Sequence, residues 1–357
     1  MNKILIIGNQ GYLGSHLTEY LIERGYECQG IDTGFFERGK LMQPKPITTK
    51  AMDARFIEEE NIKGFDVVIV LAGISNDPFG HMPVSQIYDP TRNYALKIAS
   101  MCKKLGIKFL YPSSCSVYGA AMDETSLDET MTTNPQTPYS INKLQVEEGL
   151  LKLADDSFTP IALRLSTIYG MSSRIRFDCV INMLCGLALT TKKVTLNSNG
   201  EAWRPHLHIE DACQAFHKCI DWDINSGELV VLNVGRNEDN LKIIDVAKMV
   251  HQNVEGSQLT YLSNNDEDDR DNLIKDRKIQ DGVDARTYKV LFDKINRVLP
   301  DFKCKWNVER GVKKLLNDLQ NIELSDEVFN RKEFYRLQQI EFLHQEKKID
   351  DDVYWVK

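Results

Sequence analysis

Short apolar runs alternate with stretches of helical spacing over the first half of the chain. Ile4 to Ile7 is apolar throughout and ends in glycines, which predicts a buried parallel strand. From Leu13 to Arg24, Leu13, Leu17, Tyr20 and Leu21 fall on one helical face, and Gly25 ends the helix. Glu27 to Ile31 reads as a second strand, closed by Asp32. Asp66 to Ala72, Lys108 to Tyr111, Ile161 to Leu165 and Val230 to Val234 are further buried strands. Helical stretches around residues 54–62 and 89–104 separate the earlier ones. Such alternation predicts an α/β fold, a Rossmann-type doubly wound parallel sheet.

Beyond about residue 170 the pattern turns irregular, which suits a smaller C-terminal α/β substrate-binding lobe. The expected division is a dinucleotide domain over 1–168, to which the chain returns at about 207–237. The lobe takes 169–206 and 238–325, and 326–357 forms a helical tail. In that tail Phe329, Phe334, Leu337, Ile340 and Leu343 predict one amphipathic helix from Asp326 to Lys348. The acidic run Asn264 to Asp271 reads as a solvated loop.

Composition narrows the function class. The 357 residues carry a net charge of -8, which argues against nucleic acid or an anionic membrane as the main partner. The 8 Cys show neither a CxxC pair nor zinc spacing, so free thiols in a reducing, cytoplasmic setting are expected. The apolar run at Ile4–Ile7 is too short for a signal peptide, and no run reaches the length of a membrane span.

Gly8-Asn9-Gln10-Gly11-Tyr12-Leu13-Gly14 opens a helix directly after a strand. The chain there turns sharply and exposes bare N–H groups to a pyrophosphate, which side chains would block. Asp32, 18 residues after Gly14, ends the second strand. A carboxylate at that place accepts hydrogen bonds from the adenine ribose and repels a 2′-phosphate, so NAD is favoured over NADP. Asp53 has two readings, a partner for the adenine amino group and the N-cap of the following helix.

Tyr139-Ser140-Ile141-Asn142-Lys143 sets a phenol and an ammonium four positions apart on one helical face. The cation lowers the phenol's pKa toward working pH, fitting it to exchange the proton of a hydroxyl while hydride moves. Ser113-Ser114-Cys115-Ser116-Val117-Tyr118-Gly119 follows a strand and supplies hydroxyls at its carboxyl end, where α/β sheets bind ligands.

With these motifs, residues 1–240 resemble the extended short-chain dehydrogenase/reductases, the NAD-dependent nucleotide-sugar epimerase and dehydratase group. Leu71-Ala72-Gly73, Asn93, Leu163 to Gly170 and Trp203 to Asp211 carry the rest of the likeness. The resemblance implies Tyr139 as acid/base, Lys143 as its activator and a ligand of the nicotinamide ribose, and Ser114 as donor to the sugar hydroxyl. It implies Gly8, Gly11, Tyr12, Leu13, Gly14, Asp32, Asp53, Leu71, Ala72 and Asn93 around NAD. For a nucleotide-diphosphate sugar it implies Ser75, Ser116, Thr167, Arg174, Arg176, Asn182, Arg204 and Arg286. For each Arg, a surface ion pair is the competing reading.

Where the 4,6-dehydratases have an Asp-Glu pair, Cys115 and Ser116 stand here, which disfavours dehydration. Where the 3,5-epimerases have a Cys, Ser116 stands. The resemblance therefore points to redox at one carbinol, as in the 4-epimerases, with a C4 dehydrogenase or ketoreductase as the alternative. A non-catalytic NAD-binding sensor is the alternative of another class, and the intact trio argues against it. Thr167 replaces the diphosphate-binding Asn of the 4-epimerases, a departure from the pattern for UDP-glucose or UDP-galactose. His206 and His208 lie near Glu210 and Asp211, but the same stretch in the family is structural, and no metal is expected. A homodimer is expected on the resemblance, through helices at about 89–104 and 140–154.

Overall fold

Strand β1 (Lys3–Ile7) is apolar on both faces because both are covered. Ile4 and Ile6 pack with Leu17, Leu21 and Phe216, and Leu5 and Ile7 pack with Ile98 and Val146. The computed structural model describes residues 2–75, 84–120, 125–261 and 287–356. Six more strands complete the sheet: β2 (Glu27–Asp32), β3 (Thr49–Ala51), β4 (Val67–Val70), β5 (Lys108–Ser114), β6 (Ile161–Leu165) and β7 (Val230–Val234). Their order is β7-β6-β5-β4-β1-β2-β3, and every pair is parallel. Helices α1 (Tyr12–Ile22) and α4 (Ile209–Asp221) cover one face, and α2 (Val84–Leu105) and α3 (Pro138–Leu153) the other. This is the doubly wound α/β fold expected from the pattern. Strand order reverses at β1, which opens a crevice at the carboxyl ends of β1 and β4.

Several elements differ in extent from the reading of the sequence. The helix at 54–62 is a 3₁₀ turn (Ala54–Phe56) followed by a short helix (Glu59–Ile62). The helix at 89–104 widens to the whole of α2, with Pro90 inside it. β5 runs on to Ser114, which places that hydroxyl at the strand's end.

A second core lies beside the sheet. It joins Ile181 and Leu184 of the helix Val180–Thr191, Val246 and Val250 of Ile243–Gln252, and Val312 and Leu315 of Val308–Asn321. Among the described residues no helix is long and apolar enough to cross a membrane.

The tail is not one helix. It breaks into Asp326–Phe329, a 3₁₀ turn Lys332–Phe334 and Arg336–Gln345, with Tyr335 in extended backbone between the last two. One straight helix has a single apolar stripe, whereas this segment serves two cores. Phe329, Phe334 and Tyr335 enter the second core. Ile340, Leu343, Ile349 and Val353 pack with Phe35, Ile87 and Tyr88 beside the sheet. The acidic run 264–271 lies outside the described residues.

Candidate active site

One cavity of about 1120 Å³ opens at the carboxyl ends of the central strands. That lies just above the few hundred to about 1,000 Å³ of a pocket for one drug-sized ligand, which is room for an extended one.

Its floor is the glycine loop. Gly8 has φ +91°, and a Cβ on it would stand 2.5 Å from the Ala72 backbone nitrogen. A Cβ on Gly14 would stand 2.1 Å from the Gly8 carbonyl oxygen. Neither site tolerates a side chain, so the backbone closes tightly on itself and its first helical amides face the cavity. Gly11 is the N-cap of α1, offers no capping side chain, and no acidic residue sits in the first turn. Such an end is a ready anion site. Tyr12 contributes main chain only, because its ring turns into the second core and its hydroxyl donates to the Gly170 carbonyl. Leu13, Leu71 and Ala72 line the cavity beside it, and the Leu71 and Ala72 amides both donate to the Ile7 carbonyl.

Asp32 stands at the far side of this floor. Its carboxylate accepts from the backbone N–H of Gln10 and of Gly34, both at 2.9 Å. Burial raises its pKa, and those two amides with Arg336 and Arg174 work against the rise. A carboxylate with two fixed amide partners keeps lone pairs for a ribose. Asp53 resolves toward the helix-capping reading, since it accepts from the Arg55 backbone N–H and forms an ion pair with Arg55 at 2.6 Å. It also lines the cavity.

The opposite wall carries Ser114, Tyr139 and Lys143. Thr137 caps α3 and Pro138 starts it, so Tyr139 lies in the first turn with Lys143 one turn on. The Lys143 side chain is buried, and its Nζ donates to the Pro112 carbonyl at 2.6 Å. Nζ lies 5.6 Å from the Tyr139 ring centroid and 4.5 Å from that of Tyr111. Desolvation lowers its pKa to about 7, partly opposed by Glu147. Ser114 Oγ accepts from the Ser116 backbone N–H at 3.1 Å, which leaves its own proton to donate. The buried Ser116 hydroxyl has no partner among the described residues and belongs to the cavity wall.

A buried chain braces this wall from behind. Ser113 donates to Glu147, Glu147 pairs with Arg164 at 2.7 Å, and Arg164 Nη1 donates to the Tyr118 hydroxyl. Tyr118 in turn donates to Asn233 and so packs beneath the loop. Cys115 is 1% exposed and outside the cavity wall. Burial pushes its thiol up to about 12, so it is no nucleophile there.

On the substrate side, Ser75, Thr167, Arg176 and Arg204 reach the cavity. Arg176 donates to the Ser75 hydroxyl at 2.9 Å and pairs with Asp178 at 2.8 Å. Three other expectations need correcting. Asn93 is exposed on α2, and Thr91 and Tyr94 line the cavity in its place. Arg174 is buried away from the cavity, with Nη1 on the carbonyls of Phe36 and Glu37. Asn182 is fully buried, where it accepts from the Gly170 N–H and donates to the Arg176 carbonyl. Arg286 lies outside the described residues. Buried His206 and His208 belong to no group of three or more metal-ligating side chains among the described residues.

The sequence reading missed Phe36, Arg55, Asp178 and Arg336, which also line the cavity. No short motif marks them. Their places follow from how the tail folds back on the sheet.

A family model described as the NAD dependent epimerase/dehydratase family matches residues 4–235. Solved structures share the fold at low identity. A UDP-N-acetylglucosamine 4-epimerase from Methanobrevibacter ruminantium M1 is 19% identical at a TM-score of 0.73, over 90% of this chain and 98% of that one. A dTDP-glucose 4,6-dehydratase from Bacillus anthracis str. Ames is 19% identical at 0.72, over 92% and 100%. A UDP-glucuronic acid 4-epimerase from Bacillus cereus is 20% identical at 0.71, over 90% and 99%. The bare glycine loop, the amide-held Asp32 and the match over residues 4–235 agree: the chain belongs to the NAD-dependent epimerase/dehydratase family, and NAD is its cofactor.

Proposed function

We propose that this protein is a nucleotide-sugar epimerase that acts through transient oxidation at sugar C4. The observation that supports this reading most is the chemistry of the cavity wall. Ser114, Tyr139 and Lys143 share it, and the carboxylates lining it among the described residues are Asp32, Asp53 and Asp178. Each of those is tied to amide or guanidinium donors, and the Cys115 thiol is buried behind the strand. Elimination of water or removal of a ring proton needs a free acid/base beside the sugar, whereas epimerisation by redox needs one phenol.

Bound NAD supplies a hydride acceptor, and later a donor, at its nicotinamide. Tyr139 takes the C4 hydroxyl proton and returns it. Lys143 favours the phenolate through its charge, and Ser114 donates a hydrogen bond to the same oxygen. Ser75, Ser116 and Thr167 hold the sugar, and Arg176 and Arg204 meet the diphosphate. The same reading assigns NAD to 1–168 and the sugar nucleotide to the lobe, and sets the enzyme in the cytoplasm. It makes the protein a homodimer through the outer faces of α2 and α3, where Ile141 and Leu151 are exposed.

Incubation with UDP-, GDP-, dTDP- and CDP-sugars, with product analysis, tests the reaction. A C4 epimer without net NADH is expected. An accumulating ketone with absorbance near 340 nm makes the protein a C4 dehydrogenase instead. No response to any sugar nucleotide favours a non-catalytic binding protein.

A further inference from the structure

Arg336 comes from the tail, more than 300 positions from the glycine loop, yet its guanidinium lies above that loop. Its Nη2 stands 3.6 Å from where a Cβ on Gly11 would be, beside the uncapped start of α1. Its guanidinium carbon lies 3.7 Å from the centroid of the Phe36 ring. The residue is 9% exposed and lines the cavity. Its backbone N–H donates to Asp178 at 3.1 Å, but its guanidinium has no hydrogen bond or ion pair among the described residues. The nearby carboxylates are engaged, Asp178 by Arg176 and Asp32 by two backbone amides.

A buried guanidinium without a hydrogen-bonded counter-charge is costly. Burial pulls this one down to about 9, and the like charge of Arg176 adds to the fall, which Asp178 and Asp32 only partly oppose. Two independent features thus call for an anion at one spot: a helix N-terminus stripped of side chains and a guanidinium with no hydrogen bond or ion pair among the described residues. We propose that Arg336 binds the pyrophosphate of the dinucleotide and that residues 336–356 form a strap which keeps the cofactor from leaving.

The strap is tied near both of its own ends to the segment that follows β2. Gln339 donates to the Phe35 carbonyl at 2.9 Å, and Trp355 Nε1 donates to the Thr33 carbonyl at 2.7 Å. Arg55 donates to the carbonyls of Asp352 and Val353 and stacks on the Tyr354 ring at 3.3 Å. These anchors follow β2 and β3, the strands that end beside the ribose carboxylate Asp32. Release of the dinucleotide requires breaking them as well as the contacts to the cofactor itself.

The inference rests on NAD as cofactor and not on the C4 reaction. The test uses the full chain and compares wild type, Arg336→Gln and Arg336→Lys. Wild type is expected to carry NAD through purification, read by chromatography of nucleotide released on denaturation, and Arg336→Gln to lose most of it. On stripped protein, calorimetry with ADP-ribose is expected to show a loss of about 10- to 100-fold for Arg336→Gln, with Arg336→Lys between. Binding of adenosine, which lacks the pyrophosphate, is expected to change by less than about twofold, since Arg336 makes no contact it would lose. Equal loss for adenosine and ADP-ribose overturns the proposal, as does unchanged ADP-ribose binding. Because the guanidinium has no hydrogen bond or ion pair among the described residues and its charge is costly to bury, stripped Arg336→Gln is expected to melt no lower than stripped wild type, and a variant that does not fold counts against the proposal. Wild type that binds neither NAD nor ADP-ribose sinks the cofactor itself, a separate outcome.

Discussion

The two sides of the cavity are built in different ways. The sheet side is assembled from short motifs: a seven-residue glycine loop, a hydroxyl at the end of β5 and a phenol–lysine pair one turn apart. The strap side is assembled by partners far apart in sequence, such as Arg55 with Asp352 and Thr33 with Trp355. The first kind of wall is fixed by local backbone geometry. The second is fixed by packing and by side chain to carbonyl hydrogen bonds: Arg55 donates to tail carbonyls, and Gln339 and Trp355 of the tail donate to carbonyls that follow β2. The proposed chemistry, which needs sub-ångström placement, would sit on the first side, and the proposed retention, which needs only closure, on the second.

The largest effect expected from breaking this contrast is on the sheet side. Tyr139→Phe removes one oxygen, and turnover is expected to fall about 10²- to 10⁴-fold while NAD content stays at the wild-type level. Activity within tenfold of wild type would end the role given to the phenol. Arg164→Leu strands the Glu147 carboxylate in the interior, and urea denaturation is expected to show a loss of about 3–5 kcal/mol. Less than about 1 kcal/mol would mean that Glu147 finds another partner. On the strap side, Arg55→Ala gives up two carbonyl contacts and its pair with Asp53. There a smaller loss of about 1–3 kcal/mol is expected, with faster release of NAD in a chase with excess ADP-ribose. A release rate equal to that of wild type would show that this end of the strap does not hold the cofactor.

Two pH dependences sharpen the same contrast. His206 and His208 are held near 3 by burial, against 6.5 in an open chain. The unfolded chain takes up protons below 6.5 that the folded one refuses, so stability falls as pH drops from 6.5 toward 3. His206→Leu is expected to flatten that acid limb in a series of melting curves, and an unchanged slope would refute the assignment. Lys143 runs over a different window, from its ordinary 10.5 to about 7. Between those values the unfolded state holds the extra proton, so stability from this group rises with pH. Stripped Lys143→Met is expected to melt above wild type at pH 7, with the gap closing by pH 10. The least effect belongs to exposed pairs: cutting Lys97 from Glu58, 39% and 70% exposed, is expected to cost less than about 1 kcal/mol.

Legibility in the sequence follows the same division. β1, β4, β6 and β7 are readable because a buried parallel strand is a dense apolar run, and the glycine loop because its geometry excludes side chains. Asn93 was misplaced because each helical residue turns by about 100°, so a motif match that is right along the axis can point to solvent. Thr91 and Tyr94 face inward there, and Tyr94 donates to the Ala72 carbonyl. Arg174 and Asn182 carry the right chemistry but are taken up by backbone groups that a sequence does not display. Arg336 was hidden because nothing nearby in the chain says what it faces. The tail's apolar residues fitted one helical stripe, and two separate cores broke that stripe into pieces.

Translation order gives the strap another meaning. Every other wall of the cleft precedes residue 326, and those walls form the sheet and the second core. A nascent chain can therefore fold the glycine loop and Asp32 while the entrance is still uncovered. A dinucleotide bound at that stage would have the tail fold over it, so the order of synthesis would let the strap oppose release without opposing entry.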